Sequence, residues 1–436
     1  MTSTQELESV STKIQRIAEL AKRHPDRSFV SLSHHIDLHW LWEAYERIRK
    51  DGAPGIDGVT AEAYEQDLLS HLQRLLEAVK SGSYKAPPVR RVWIAKADGN
   101  KTRPIGIPTL EDKILQRAVV MILEAIYEQD FLEVSYGFRP NRSAHQALDT
   151  VWTGLSRMGG GWVLEIDIKS YFDRMDHSHL RRFLERRVRD GVLRWLIDKW
   201  LKASVLEDGQ LSYREEGTPQ GGVVSPILAN LYLHHVLDTW FEGEVKPRLV
   251  GASSLVRYAD DAVLMFANEA DARKVLAVLP KRFARFGLEL HPTKTRLVHF
   301  IPPTNRKEGE QGTFDLLGFT HYWGKSRRGL WVIKRKTAGD RLSRSLKRIK
   351  HWCRRHRHDR LKEQHEALSR KLKGHYAYYG IVGNRPALFR FREEAVRIWV
   401  KWLGRRSQRP LTWATAAKIL HAHPLPDPRP WRASIA

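Results

Sequence analysis

The sequence predicts an α+β region up to about residue 320 followed by an all-α region, and three observations carry that reading. Before residue 320, short β-branched runs alternate irregularly with helical apolar periodicities, without the strict strand–helix–strand repeat of a doubly wound sheet. Beyond it, Leu342, Leu346, Ile349 and Cys353 recur at i, i+4, i+7 and i+11, as do Leu361, His365, Leu368 and Leu372, the stripe of an amphipathic helix. Charge is also partitioned. Residues 325–436 carry 30 Lys and Arg against 7 Asp and Glu, a local net of +23, whereas residues 1–324 carry only +1 of the chain's +24. Such a concentration repels itself unless a polyanion compensates, so a nucleic-acid partner is expected.

Taken in chain order, residues 5–50 predict helices, with Ile14, Ile17 and Leu20 at helical spacing, then Leu38, Leu41 and Tyr45, and Pro25-Asp26-Arg27-Ser28 as the break between them. The run Gly52-Ala53-Pro54-Gly55-Ile56-Asp57-Gly58 is an ordered-loop candidate, and Leu68, Leu69, Leu72, Leu75 and Leu76 predict one helix over about 61–80. Val89–Ile94 returns through Arg103–Ile107 as a β-hairpin whose turn carries Asp98-Gly99-Asn100. A long apolar helix over 110–128 follows, then a strand over Trp162–Ile168, a strand pair around Asp260-Asp261, and a helix over 271–286. Residues 303–312 are the expected loop near the boundary, and the Pro-rich end from His423 is an extended tail. The domain plan is therefore a helical N-terminal extension over 1–50, an α+β unit over 51–320, an α-helical unit over 321–405, and a basic, Pro-rich tail over 406–436.

Composition excludes several classes. One cysteine, Cys353, rules out an intramolecular disulfide framework and a multi-cysteine zinc site. There is no secretory signal pattern at the start and no run of about eighteen apolar residues, so no membrane partner and a cytoplasmic location are expected. No P-loop is present, which leaves ATP-driven chemistry unsupported. His351, Cys353, His356 and His358 look like a metal cluster until placed on a helix, where about 100° per residue scatters them around the axis.

Two acidic sites remain. In Glu165-Ile166-Asp167-Ile168, the acids share one strand face and the isoleucines the other. In Arg257-Tyr258-Ala259-Asp260-Asp261, adjacent carboxylates sit at a tight strand–turn–strand tip, where a divalent cation is the usual compensation. Phosphoryl transfer by two metal ions needs carboxylates converging from separate elements. Asp167 ends one strand, and Asp260 tops a hairpin much later in the chain. Neighbouring strands in one sheet would bring them together.

These residues stand in motifs that resemble those of reverse transcriptases. Tyr258-Ala259-Asp260-Asp261 matches the hairpin-tip motif, Asp167 with Phe172 the first acidic motif, and Gly217-Thr218-Pro219-Gln220-Gly221-Gly222-Val223-Val224-Ser225-Pro226 the loop-to-helix motif. More narrowly, the chain resembles a bacterial group II intron-encoded reverse transcriptase, or maturase. The Gly52–Gly58 run, Arg103-Pro104-Ile105-Gly106-Ile107-Pro108, Tyr136-Gly137-Phe138-Arg139-Pro140, Phe314-Asp315-Leu316-Leu317-Gly318-Phe319 and Gly374–Gly380 occur in family order.

The resemblance implies a right-hand polymerase, with fingers and a palm bearing an antiparallel sheet, then an all-α thumb called domain X. It implies that Asp167, Asp260 and Asp261 hold two Mg²⁺ ions, with the Ile168 carbonyl as a further ligand. Lys96 and Arg103 would clamp the incoming triphosphate, Phe172 would exclude a 2′-hydroxyl, and Gln220 and Lys294 would lie at the nucleotide. Expected partners are group II intron RNA, an RNA template with a DNA or RNA primer, dNTPs and target DNA. Lys334, Arg335, Lys336, Arg354, Arg355, Arg405 and Arg406 are the expected RNA contacts, while most of Tyr376, Tyr378, Tyr379, Trp399 and Trp402 are expected in a helical core. Many such proteins continue into a His-Asn-His endonuclease with cysteine pairs, which this sequence lacks; priming from a nascent strand or an existing DNA 3′ end is expected instead.

The implied activity is RNA-directed DNA synthesis with assistance to splicing. The alternatives are an RNA-binding splicing factor without polymerase activity, and a reverse transcriptase serving phage defence or a CRISPR-linked system. The first would have no use for clustered carboxylates beside a polyanion, and the domain-X-like run at Gly374–Gly380 leans against the second.

Overall fold

The computed structural model describes residues 9–95, 102–207, 210–212, 217, 221–303, 312–407 and 411–428. They divide into two compact units, residues 1–147 with 164–296 and residues 148–163 with 297–436. The chain order is α1 (Val10–Arg23), α2 (Leu38–Arg47), α3 (Ala61–Glu65), α4 (Leu68–Lys80), β1 (Val89–Ala95), β2 (Thr102–Ile107), α5 (Leu110–Tyr127), α6 (Ala144–Met158) and β3 (Gly161–Ile166). It continues with α7 (His177–Glu185), α8 (Gly191–Leu201), β4 (Val205–Glu207), β5 (Gln210–Ser212), α9 (Ser225–Leu233), β6 (Ser253–Tyr258), β7 (Asp261–Phe266), α10 (Glu269–Ala284) and β8 (Arg296–Phe300). The last elements are β9 (Thr313–Leu316), β10 (Phe319–Lys325), β11 (Trp331–Thr337), α11 (Gly339–Arg355), α12 (Leu361–Tyr379), α13 (Arg385–Leu403) and α14 (Trp413–Ala422). Strands thus mingle with helices up to residue 337, and the rest is helical.

In the first unit, α5 is the central core element. Its apolar residues occur on every side, so the helix is enclosed all round, with Ile114, Leu115, Ala118, Val119, Ile122 and Leu123 fully buried. Thr109 caps its N-terminus by accepting from the Asp112 N–H (3.3 Å). Buried Trp40 of α2 donates its indole N–H to the Ala118 carbonyl (2.9 Å), which satisfies its polar edge inside the core. The N-terminal extension is tied down by Arg187, 5% exposed, which lies 2.9 Å from Asp130 and donates to the carbonyls of Ala21, His24, Pro25 and Arg27. Asp190 completes the attachment by accepting the Leu32 and Ser33 N–H groups.

The helix expected over 61–80 is two. Its chain breaks between Glu65 and Leu68, because Asp67 leaves helical geometry (φ −137°) to start α4. The expected hairpin is present, pairing Arg90 with Ile107 through Ala95 with Thr102, and β4 and β5 extend it to a sheet of order β2-β1-β4-β5. Its turn, at Asp98-Gly99-Asn100, lies outside the described residues. A second sheet has the order β6-β7-β3-β8, and β6 and β7 are antiparallel.

In the second unit, β9, β10 and β11 form an antiparallel sheet of order β11-β10-β9. Leu316 pairs with Phe319 across a two-residue turn, Leu317-Gly318, with φ of 50° and 81°, the mirror-image geometry that suits strand twist. The expected helical unit from residue 321 is therefore corrected: 319–325 and 331–337 are strands, and the helices start at Gly339. Ile349 and Cys353 of α11, Leu368, Leu372 and Tyr376 of α12, and Leu388, Phe391 and Trp399 of α13 share one core, in which Ile349, Cys353, Leu368 and Leu372 follow the predicted spacing. Burial pushes the Cys353 thiol up to about 12, so it acts as a small apolar group. Trp399 is fully buried and donates to Gln364 (2.9 Å). Among the described residues, no helix is long and apolar enough to cross a membrane.

Candidate active site

The two acidic motifs meet in the first unit. Strand β3 delivers Asp167 just past its last residue, and β7, which begins at Asp261 after the hairpin turn, lies beside β3. Burial raises the Asp260 carboxyl above its ordinary value; the Asp167 charge adds to the rise, and the charges of Arg103 and Arg257 work against it. The charges of Asp167 and of Arg103 on β2 are thus both felt at the Asp260 carboxyl.

Asp167 is held from a second direction. Its carbonyl accepts the His291 N–H (2.8 Å), Ile168 bridges Leu290, and the Lys169 N–H donates to the Glu289 carbonyl (2.8 Å). This pairing aims the segment before the chain turns at Ser170 (φ 49°) into the 3₁₀ turn Tyr171–Asp173. Lys294 reaches back to form an ion pair with Asp167 (3.1 Å). Glu165, on the same strand face, is paired with Arg296 instead. Phe172 is half-buried, whereas its neighbour Tyr171 is buried and donates to the Ala229 carbonyl (2.6 Å), so Tyr171 is the core aromatic of the two.

The hairpin tip is strained and clamped. Tyr258 pairs with Asp261, which leaves Ala259-Asp260 as a two-residue turn, with Ala259 at φ 58°, a region that costs a residue bearing a Cβ. Arg257, wholly buried, holds it by donating to the Ala259 carbonyl (3.0 Å) and to Asn230 (2.9 Å) while making a two-pronged pair with Asp238 (2.7 and 2.6 Å). Asn230 in turn donates to the Gly137 carbonyl (2.7 Å). A Cβ on Gly137 would lie 2.3 Å from the Ala259 nitrogen, so only glycine admits the tip. Sequence reading quoted Arg257 and Gly137 within motifs without a role; Asp238 and Asn230 it missed, since nothing local marks a pair 19 and 27 residues distant.

Hard carboxylate oxygens in mutually repelling, partly desolvated positions fit a hard divalent cation. Asp261 is exposed, and among the described residues no three His, Cys, Asp or Glu side chains are gathered closely enough to hold a metal ion. Arg103 lies on β2, but Lys96 and Gln220 lie outside the described residues.

Of the expected RNA contacts, Lys336, Arg354, Arg355 and Arg405 are exposed, and Lys334 is half-buried. Arg335 is a correction. It is 4% exposed on β11 and reaches the half-exposed Asp149 (2.8 Å), so its own guanidinium does not lie on the surface. Arg406 is half-buried and donates to the Asp359 carbonyl (3.0 Å). Most of the aromatics are core, as expected: Tyr376 and Trp399 are buried, and Tyr379 and Trp402 pack against the same cluster.

Comparison with known proteins agrees with this geometry. The family described as reverse transcriptase (RNA-dependent DNA polymerase) matches residues 94–321, just over half of the chain. Group II intron-encoded protein LtrA of Lactococcus lactis subsp. cremoris is 38% identical over 229 residues, covering 51% of this chain and 37% of LtrA. Protein YkfC of Escherichia coli K12 is 38% identical over 298 residues, covering 60% of this chain and 77% of YkfC. A 91 kDa protein in the cob intron of Schizosaccharomyces pombe is 33% identical over 362 residues, 70% of this chain and 44% of that protein. The chain thus spans little more than a third of LtrA. Enzymes of the matched family generally use Mg²⁺. The chain belongs to the reverse transcriptase family and, within it, to the group II intron-encoded proteins.

Proposed function

We propose that the chain is an RNA-directed DNA polymerase of group II intron type, extending a DNA or RNA primer on an RNA template with dNTPs. It also binds intron RNA as a ribonucleoprotein, assists splicing, and engages target DNA. The observation that carries this is the meeting of Asp167 and Asp260 on neighbouring strands, with the Asp260 carboxyl raised by burial and by Asp167.

In this reading, the sheet bearing β3, β6 and β7 is the palm, the β1–β2 hairpin belongs to the fingers, and α11, α12 and α13 form the thumb. Asp167, Asp260, Asp261 and the Ile168 carbonyl hold two Mg²⁺ ions. When bound, these polarise the primer hydroxyl and neutralise charge on the departing pyrophosphate. Arg103, together with Lys96, pairs with the triphosphate and offsets charge developing on its oxygens. Phe172 packs under the deoxyribose and leaves no room for a 2′-hydroxyl. Lys294, an ammonium already on Asp167, keeps the carboxylate oriented and yields it when the site takes up cations. Gln220 contacts the nucleotide. Lys334, Lys336, Arg354, Arg355, Arg405 and Arg406 serve RNA phosphates, and Arg335 does not.

Primer extension on an RNA template tests this reading. Asp260→Ala should lower the rate by at least about 10²-fold, because a metal-holding carboxylate is lost. Near-normal cDNA synthesis by that variant would contradict the assignment.

A further inference from the structure

The first unit buries an acid that the proposed chemistry does not use. Asp112, in the first turn of α5, is 1% exposed, and no cation is among its hydrogen-bond partners. Three neutral donors converge on its carboxylate: the Tyr84 hydroxyl, the Trp200 indole N–H (2.7 Å) and the Gln116 amide (2.9 Å). Burial raises the Asp112 carboxyl to about 6, with these hydrogen bonds pulling it back. An ionised carboxylate only accepts, so Gln116 must present its NH₂ to Asp112. The Gln116 carbonyl oxygen is thereby turned the other way, where it accepts the Val224 N–H (3.1 Å).

Val224 stands at the N-terminus of α9. Gly217 and Gly221 are held as well. The Gly217 N–H donates to the Met175 carbonyl (2.9 Å), and His177 donates to the Gly217 carbonyl (2.6 Å), just past the turn bearing Phe172. Gly221, at φ +115°, lies so close to β2 that a Cβ would stand 2.4 Å from the Gly106 carbonyl oxygen. Gly217 is therefore held at the Phe172 turn, Gly221 against the strand carrying Arg103, and Val224 at the Gln116 amide.

We infer that Gln116 is a positioning residue for the incoming nucleotide: Asp112 fixes the orientation of its amide, and Gln116 fixes Val224, three residues after the glycine that lies against the strand carrying Arg103. This rests on the polymerase reading. The fix is directional, since the amide NH₂ given to Asp112 leaves the Gln116 carbonyl oxygen for Val224.

The test compares wild type, Gln116→Leu and Gln116→Glu as full chains. Amide hydrogen exchange at Val224 should be about tenfold faster in Gln116→Leu, as expected for one lost hydrogen bond, with the β6–β7 amides unchanged. In primer extension, the same variant should raise the dNTP KM about fivefold or more while kcat stays within about twofold. Gln116→Glu keeps the acceptor for Val224 but sets a carboxylate against Asp112. Its KM defect should therefore shrink from about pH 8 to about pH 6, where one proton can be shared, while that of Gln116→Leu does not. Unchanged Val224 exchange in Gln116→Leu overturns the clamp. Faster exchange with an unchanged KM, or a Glu variant whose defect ignores pH, overturns the positioning role. A wild-type chain that extends no primer overturns the polymerase reading and the nucleotide role with it, while the exchange comparison still decides the clamp.

Discussion

Breaking the Arg257–Asp238 pair should cost both stability and activity, and the geometry sets the size. Both side chains are fully buried, the pair is two-pronged, and the remaining guanidinium contacts go to Asn230 and to the carbonyl of strained Ala259. Removing one member of a buried pair typically costs about 3–5 kcal/mol, because the other is left charged without compensation. Asp238→Ala, which strands the guanidinium, should fall in that range, and so should Arg257→Met, which strands the carboxylate and frees the tip. Removing both together, as Arg257→Met with Asp238→Leu, should cost less than the sum by about 2 kcal/mol or more, since no buried charge remains. Urea unfolding of the four proteins measures the cycle. Primer extension separates the two roles: the double variant should regain stability but not rate, because the Ala259 carbonyl still lacks its donor and a displaced tip can cost about 10²-fold. Single losses below about 1 kcal/mol that simply add would refute the clamp.

Other outcomes follow from the same contacts. Gly137→Ala should lower primer extension sharply while RNA affinity holds, since its Cβ would collide with the Ala259 nitrogen; full activity would refute the close approach. RNA affinity should fall steeply with salt, and Arg354→Gln should lower the slope of log affinity against log salt by about 0.7–0.9. Arg335→Gln should leave that slope unchanged and lower stability, because its partner is Asp149; a changed slope would return Arg335 to the RNA surface. For pH, the raised Asp112 means the folded chain binds more protons than the unfolded chain between about 3.8 and about 6. The stability of wild type relative to Asp112→Asn should therefore fall as pH rises through that window, by up to about 1.4 kcal/mol per pH unit, and level off above it. A difference that is flat or rises with pH would refute the buried ionisable acid.

What could be read from the sequence was whatever is encoded locally. The hairpin tip at Asp260, the strand ending at Asp167, the enclosed helix over 110–127 and the seams of α11 and α12 are each set by periodicity within one element. The break at Asp67 was hidden because every leucine that predicted the helix lies after it. Lys334-Arg335-Lys336 was read by charge as helix surface, although Ile333, Arg335 and Thr337 bury on alternate positions, the period of a strand. That alternation was available. The contacts that hold the site were not: Arg257 finds Asp238 and Asn230 from another element, and Gln116 finds Val224 108 residues away. Such pairs are fixed by packing, and single-residue identity carries no trace of the partner.

Iron-directed backbone cleavage tests the central claim most directly. With Fe²⁺ replacing Mg²⁺ on the full chain, bound to RNA template, a terminated primer and dNTP, hydroxyl radicals cut near the ion. Cuts should appear together at 166–168 and at 259–261, and both should vanish with excess Mg²⁺ or in Asp167→Asn. Cuts at only one of these segments, or at neither, would mean that Asp167 and Asp260 do not share a metal centre.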